Sequence, residues 1–323
     1  MAQVKFNGTV YKVSQGQTVL DTLLENQQDI ANSCRAGACQ SCLMQVTKGV
    51  VPEASQNGLK DSYKAKGYFL ACSCKPEEDI DVCLPDTEQL RVEASVSQLN
   101  MLADDVVELK LKTSRPFEYF SGQYVTLWRD KRLGRSYSLA SLPGVDEDLI
   151  FHIKLIPGGA FSSWVHNELN IGDTVFIQGP AGDCFYTQGN IDKNILLIGT
   201  GTGLAPLYGI VRDAIQSNHQ GEIHLFHGGL NPSGLYLHEQ LESLSREHAN
   251  FYYHPCVLKA DSLTSKNIIE GDIANVALQS IPDMKDWKAY LCGDPELVNK
   301  LRKQIFLAGC NMNDIYADPF LHA

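Results

Sequence analysis

Cys34, Cys39 and Cys42 follow one another at C-x4-C-x2-C spacing, and Cys72 comes next after positions 43–71. Three thiols on one short stretch force that stretch to wrap around whatever they hold. Ser33, Ala36, Gly37, Ala38 and Ser41 keep the neighbouring side chains small, which lets backbone N–H groups approach sulfur closely. A structural zinc site favours two well-separated pairs with short internal gaps, and three ligands in a single loop fit that pattern poorly. The spacing instead matches the ligation of an iron–sulfur centre, with Cys72 as the fourth ligand. Cys74, two positions on, competes for that place. Of the ten cysteines, Cys83, Cys184, Cys256 and Cys310 stand alone and read as small buried hydrophobes. The N-terminus alternates like a strand and lacks the basic and apolar regions of a secretory signal, so the expected compartment is the cytoplasm, where thiols stay reduced.

Three segments with different patterning divide the chain, which at 323 residues is long for one domain. Residues 1–90 open with Asn7-Gly8 between alternating runs, a hairpin signal. A short helix is expected next, with Val19, Leu20, Leu23 and Leu24 on one face and Thr18 as its cap. After the cysteines, Ile80, Val82 and Leu84 alternate as a closing strand, giving a β-grasp-like domain. Residues 91–190 are dominated by alternation, at Val92, Ala94, Val96, then Val107, Leu109, Leu111, then Leu149, Phe151, Ile153, Leu155. That pattern predicts an antiparallel β-barrel, interrupted by one helix carrying Phe161, Trp164, Val165 and Leu169. Residues 191–323 alternate strands with helices, which predicts a parallel sheet of the nucleotide-binding kind; the run Ile195–Ile198 suits a strand covered on both faces. The chain is thus expected to be a multidomain α+β and α/β protein.

The first segment resembles a plant-type ferredoxin from the Asn7-Gly8 hairpin through CRAGACQSC to FLACSC, and the resemblance implies a [2Fe–2S] cluster. In the second, Arg135-Ser136-Tyr137-Ser138 follows Gly122-Gln123-Tyr124-Val125 and resembles the flavin motif of the ferredoxin–NADP reductase superfamily. By that resemblance Arg135 pairs with flavin phosphates, Tyr137 packs on the flavin and Ser138 bonds near its N5. Gly158-Gly159-Ala160-Phe161-Ser162-Ser163 opens the helix and resembles the family's G-x-x-S element. There Gly159, Ser162 and Ser163 meet phosphate at a helix N-terminus, or a serine simply caps the helix. In the third segment Gly199-Thr200-Gly201-Thr202-Gly203-Leu204-Ala205-Pro206 departs from the G-x-G-x-x-G fingerprint at Leu204 but resembles the superfamily's phosphate turn. Cys292-Gly293-Asp294-Pro295 resembles its C-G-x-P motif, which implies a thiol beside the carbon that gives up hydride. Tyr316-Ala317-Asp318-Pro319-Phe320 falls where relatives place an aromatic or acidic residue over the flavin; Phe320 is either that lid or part of a core strand.

The order of segments resembles single-chain oxygenase reductases of the benzoate dioxygenase and phenol or methane monooxygenase kind. The resemblance implies hydride transfer from NADH to FAD and single-electron exit through the cluster to an oxygenase component. Ser138, Cys292 and Phe320 are the residues nearest the chemistry. A similar chain could feed a deoxysugar dehydratase instead, and a non-catalytic redox sensor is the third reading. NADH is preferred to NADPH because residues 227–233 contain no Arg or Lys, although His227 and Ser233 could contact a 2′-phosphate. A net charge of −11 argues against nucleic acid as a partner, and the apolar runs are too short to span a membrane. Glu77, Glu78, Asp79, Asp81, Asp86 and Glu88 form either a docking patch for a basic partner or a solvated face. The family implies a monomer.

Overall fold

The computed structural model of the chain describes residues 2–59, 61–85, 90–187, 189, 191–260 and 267–320, with backbone alone at 61 and 62. Asn7 and Gly8 take φ values of 49° and 82° and join β1 (Gln3–Phe6) to β2 (Thr9–Lys12) in the tight hairpin their sequence requires. Thr18 caps α1 (Val19–Glu25), its hydroxyl accepting from the Asp21 N–H at 3.1 Å, and the helix buries Val19, Leu20 and Leu23. The sheet is completed by β3 (Leu43–Lys48), β4 (Tyr68–Leu70) and β5 (Ile80–Cys83), with α2 (Asp61–Ala65) before β4. Its order is β2-β1-β5-β3-β4, so the last strand of the segment slots beside the first and parallel to it. Leu84 does not continue the strand and is 49% exposed. It precedes Pro85, which has no N–H to give a ladder.

The middle body is antiparallel throughout. It comprises β6 (Val92–Ala103), β7 (Val106–Thr113), β8 (Tyr124–Trp128), β9 (Gly134–Ser138), β10 (Leu149–Lys154) and β11 (Thr174–Ala181). The order is β10-β7-β6-β11-β8-β9, and the two edges meet where the Ala140 N–H donates to the Ile150 carbonyl at 2.9 Å, so the sheet curls into a barrel. Alternation places Leu109, Leu111, Val125, Leu127, Phe151 and Ile177 inside. The helix α3 (Ala160–Asn167) adds Phe161, Trp164 and Val165 to that core. On the outer face of β8, Trp128 lies under the Arg91 guanidinium, 3.7 Å from its ring centroid. Gly134, its register partner on β9, lies close to the same ring.

The third sheet is parallel, in the order β15-β14-β13-β12-β16-β17. Its strands are β12 (Ile195–Thr200), β13 (Ile223–Gly229), β14 (Phe251–Val257), β15 (Ile269–Glu270), β16 (Lys288–Gly293) and β17 (Ile315–Pro319). The helices α4 (Leu204–Gln216), α5 (His238–Glu247), α6 (Ile273–Ser280) and α7 (Pro295–Leu307) lie between them. Leu197 and Leu225 pack into one core, Leu196, Ile198 and Phe226 into another, so both faces are covered and the strands read as apolar runs. The chain builds outward from β12 to β15 and then returns to β16. The strand order therefore reverses between β12 and β16, where open sheets of this kind bind ligands. Arg212 of α4 grips Asp146 of the barrel through two bonds of 2.7 and 2.9 Å. Burial works against the Asp146 charge, but the Arg212 bonds and the Leu142 N–H hold its carboxyl below the ordinary range.

A methyl group at Gly134 would lie 2.5 Å from the ring of Trp128, which is buried and packed under Arg91. Gly134→Ala should therefore cost about 1–3 kcal/mol of barrel stability. Gly234→Ala, where the new methyl meets only ordinary contacts of 3.6 Å and beyond, should change little. Denaturant unfolding followed by Trp fluorescence compares the two, and equal effects would refute the packing account.

Candidate functional site

The cysteine loop coils because Arg35 and Gln40, as well as Gly37, adopt left-handed backbone at φ 50°, 59° and 74°. Two non-glycine residues in that region cost roughly 1 kcal/mol each. The coil turns amide N–H groups inward: Ala36 and Cys39 donate to the Cys34 sulfur at 3.4 and 3.3 Å. A methyl group on Gly37 would sit 2.7 Å from the Ser73 hydroxyl, so the loop and the Cys72 turn close on each other. Pairing with Cys39 draws the Cys34 thiol down to about 5, and pairing with Cys42 draws Cys72 down to about 6. The same pairings push Cys39 and Cys42 up.

Among the described residues no three His, Cys, Asp or Glu side chains converge as they would on one ion. The four thiols instead form two pairs, Cys34 with Cys39 and Cys42 with Cys72. That donor set suits a binuclear centre with two thiolates per iron better than a single tetrahedral metal. Cys74 is fully buried, its thiol is pushed up to about 12 by burial, and its partner is the Ser55 hydroxyl, so it does not compete with Cys72. Of the lone cysteines, Cys256 and Cys310 are buried as expected, whereas Cys83, the last residue of the central strand β5, is only half-buried.

On β9, Arg135 and Tyr137 are half-buried and Ser138 is buried. Tyr137 packs on Phe161 of α3 at 5.5 Å between centroids. The Ser138 hydroxyl donates to the Asp318 carboxylate of β17 at 3.0 Å, joining the barrel to the parallel sheet. Burial raises the Asp318 carboxyl to about 6, opposed by the Ser138 bond. Asp318 is the acidic member of the stretch that the sequence marks at 316–320, and it is this residue that meets Ser138. Phe320 donates its N–H to the Gly293 carbonyl at 2.7 Å, and its half-exposed side chain joins none of the described core clusters. At α3, Gly159 is the cap residue with no side-chain bond to the helix. Ser162 neither caps the helix nor keeps a free hydroxyl. Its Oγ accepts from the Ile156 N–H and donates to the Gly159 carbonyl, clamping the loop.

The two turns of the parallel sheet interlock at the β12–β16 switch point. A methyl group on Gly203 would fall 2.4 Å from the Cys292 carbonyl, and Gly293 itself takes φ 117° against the Thr200 backbone. Gly199 is hemmed in by Leu207, while Gly201 faces open space at φ 53°. Thr200 and Thr202 are half-buried beside it. Pro206 is tolerated because first-turn N–H groups have no acceptor within a helix. The Cys292 thiol is buried, accepts from the Asp318 backbone N–H, and lies 3.5 Å from the Cys184 sulfur, a neighbour that spacing did not reveal. Burial pushes the Cys292 thiol well up, so it is present as the neutral thiol. Asp294 is exposed and caps α7 by accepting from the Leu297 N–H at 2.9 Å, with Pro295 in the helix's first turn.

His227 does not serve as a phosphate contact. It is fully buried, bonded to Tyr253, and pushed down to about 3 by burial, so it is neutral. Ser233 is exposed and bonds Asn231. In the acidic stretch, Glu78 accepts from the Val50 N–H and Asp79 from the Gln3 N–H, which favours the solvated-face reading. Asp86 and Glu88 lie outside the described residues. No described helix is long and apolar enough to cross a membrane.

Three family models match in series: a 2Fe-2S iron-sulfur cluster binding domain at residues 4–77, an oxidoreductase FAD-binding domain at 93–186 and an oxidoreductase NAD-binding domain at 197–303. The chain is 30% identical to the ferredoxin–NAD(P)+ reductase component of the naphthalene 1,2-dioxygenase/salicylate 5-hydroxylase systems of Ralstonia sp, over 94% of each chain. It is 27% identical to the CDP-6-deoxy-L-threo-D-glycero-4-hexulose-3-dehydrase reductase of Yersinia pestis, over 98% of this chain and 96% of that one. Among solved structures it resembles the Amycolatopsis cytochrome P450 reductase GcoB, with a TM-score of 0.70, 28% identity and 99% of each chain covered. Relatives matched over nearly their full length, together with the three domain models in this order, show that the chain belongs to the ferredoxin–NAD(P)+ reductase family whose members carry 2Fe-2S, FAD and NAD sites on one polypeptide.

Proposed function

We propose that this reductase oxidises NADH and delivers the two electrons one at a time to an oxygenase component, NADH and two oxidised acceptors giving NAD+, a proton and two reduced acceptors. FAD supplies the conversion from paired to single electrons, and the 2Fe-2S cluster held by Cys34, Cys39, Cys42 and Cys72 supplies the one-electron exit. The observation that carries the reading is that one strand pair, β8–β9, bonds the nicotinamide side through Ser138 and Asp318 and the cluster loop through Thr126 and Cys39. Domain boundaries near 90 and 190 fit this division, since the three sheets end and begin at Cys83 and Val92, then at Ala181 and Ile195.

Arg135 provides a forked donor for flavin phosphates, and α3 starts without a side-chain cap; the Gly159 and Ser163 N–H groups are already bonded to the Ile156 and Gly159 carbonyls, so these two residues shape the loop at that helix N-terminus. Ser162 acts by holding that loop in shape. Gly199 to Gly203 form the turn for the dinucleotide, with Gly201 and Thr202 toward the open side. Cys292 and Gly293 shape the floor under the nicotinamide, and Phe320 covers the site from the chain's end. Asp318 accepts from the Ser138 hydroxyl and takes up a proton as pH falls through about 6. The neutral, buried His227 and the absence of Arg or Lys across residues 227–233 favour NADH. A single chain holding all three sites supports a monomer, and ten cysteines, all free thiols, suit the cytoplasm. The likeness to a dehydrase reductase sustains a second reading in which the acceptor is not an oxygenase.

Reconstituted with iron, sulfide and FAD, the protein should reduce cytochrome c with NADH; a coloured protein that does not turn over would refute the reading. Cys42→Ser should abolish the cluster's visible absorbance while NADH still bleaches the flavin, and joint loss of both signals would contradict separate cofactor bodies.

Asp318 generates a pH prediction. Because its carboxyl is raised by burial, the folded chain binds that proton more tightly than the unfolded chain. Its stability contribution is therefore full below the unfolded carboxyl pKa of about 4 and is lost as pH rises through about 6. Asp318→Asn, which keeps an acceptor for Ser138, should recover ~2 kcal/mol at neutral pH. Denaturant unfolding across that window measures the difference, and identical pH slopes for both proteins would overturn the assignment.

A further inference from the structure

The outer face of β8 ends on the cysteine loop. Val125 and Leu127 point into the barrel, whereas Tyr124 and Thr126 alternate outward and each donates a hydroxyl to a loop carbonyl. The Tyr124 Oη donates to the Ala38 carbonyl at 2.9 Å, and the Thr126 Oγ1 donates to the Cys39 carbonyl at 2.7 Å. Thr126 is 2% exposed, and a buried hydroxyl is costly unless bonded. Behind it, 3.3 Å away, stands the hydroxyl of Ser136, its register partner in the R-S-Y-S strand. The ion pair Arg132–Asp29 also bridges the two bodies, but it is well exposed at both ends and worth little.

Tyr124 has a second consequence, which follows from the planarity of the trans peptide. The Ala38 carbonyl and the Cys39 N–H belong to one peptide unit and point in opposite directions. That N–H donates to the Cys34 sulfur at 3.3 Å, while Tyr124 grips the carbonyl from outside the loop. Hydrogen bonds in series polarise one another, so the tyrosine strengthens the N–H bond to sulfur. Such bonds to cluster sulfurs and ligands favour the reduced, more negative centre and raise its potential.

Resting on the electron path proposed above, we propose that docking of the cysteine loop on β8 raises the cluster's reduction potential through the 38–39 peptide. Tyr124 and Thr126 are positioning residues for this step. The docked loop accepts an electron more readily from the flavin side. A loop released from Tyr124 holds that electron less tightly and gives it up to the acceptor.

The test measures the cluster midpoint by spectroelectrochemistry in the reconstituted holoprotein, alongside the rate at which NADH bleaches the flavin. Tyr124→Phe should lower the midpoint, reducing the ratio of reduced to oxidised cluster at a fixed potential by about fivefold, the equivalent of one net hydrogen bond. Thr126→Val, which keeps the shape and removes the hydroxyl, should shift it the same way and speed amide exchange in residues 34–42. Thr126→Ser should restore both. Flavin bleaching should be unchanged in all three. Midpoints equal to wild type in both Tyr124→Phe and Thr126→Val would overturn the proposal. If Tyr124→Phe loses its cluster, the Thr126→Val and Thr126→Ser pair decides by the same criterion. Failure of the underlying electron path has a different signature, a wild-type flavin that NADH does not bleach beside a normal cluster midpoint.

Discussion

The ladder between β8 and β9 is the constraint on which the assembly depends. Hydride transfer requires contact between nicotinamide and flavin, and single electrons need a short route onward, so one rigid element has to fix both separations. Here the two strands pair from Tyr124–Ser138 to Trp128–Gly134. One end of the ribbon carries Ser138, bonded to the parallel sheet, and its outer face carries Thr126, bonded to the cysteine loop. Five residues on each strand thus set the spacing among three bodies, and the bidentate Arg212–Asp146 pair adds a second tie between the nucleotide body and the barrel.

What could be read from sequence was what is local. The cysteine spacing, the Asn7-Gly8 turn, the alternation of Val107, Leu109 and Leu111, and the apolar run at Ile195 each record a constraint imposed within a few residues. Leu84 failed as a strand residue because alternation says nothing about where a ladder stops, and the two-residue strand β15 is too short to leave a period.

The contacts that sequence did not show are all distant. Ser138 meets Asp318 across 180 residues and Cys184 meets Cys292 across 108, and no periodicity encodes a pair of that separation. Tyr124 and Thr126 were visible only as alternate members of a strand, their hydroxyls indistinguishable from those of any solvated face. His227, left open in the sequence as a phosphate contact, is buried by the fold against Tyr253 and Tyr236 and kept neutral.

Asp318 shows how burying a carboxyl conflicts with stability. A carboxyl with no cation beside it and one hydroxyl donor is a poor thing to bury, and the raised proton affinity is the direct result of that burial. A carboxylate kept solvated, as Asp294 is at the start of α7, carries no such burial cost. The same logic applies to Cys292, whose thiol stays neutral because it is buried against Cys184 and receives only a backbone N–H. A thiolate there would place negative charge beside Asp318. Both groups are held in unfavourable surroundings by the glycine contacts of Gly203 and Gly293, where any side chain would push the two turns apart.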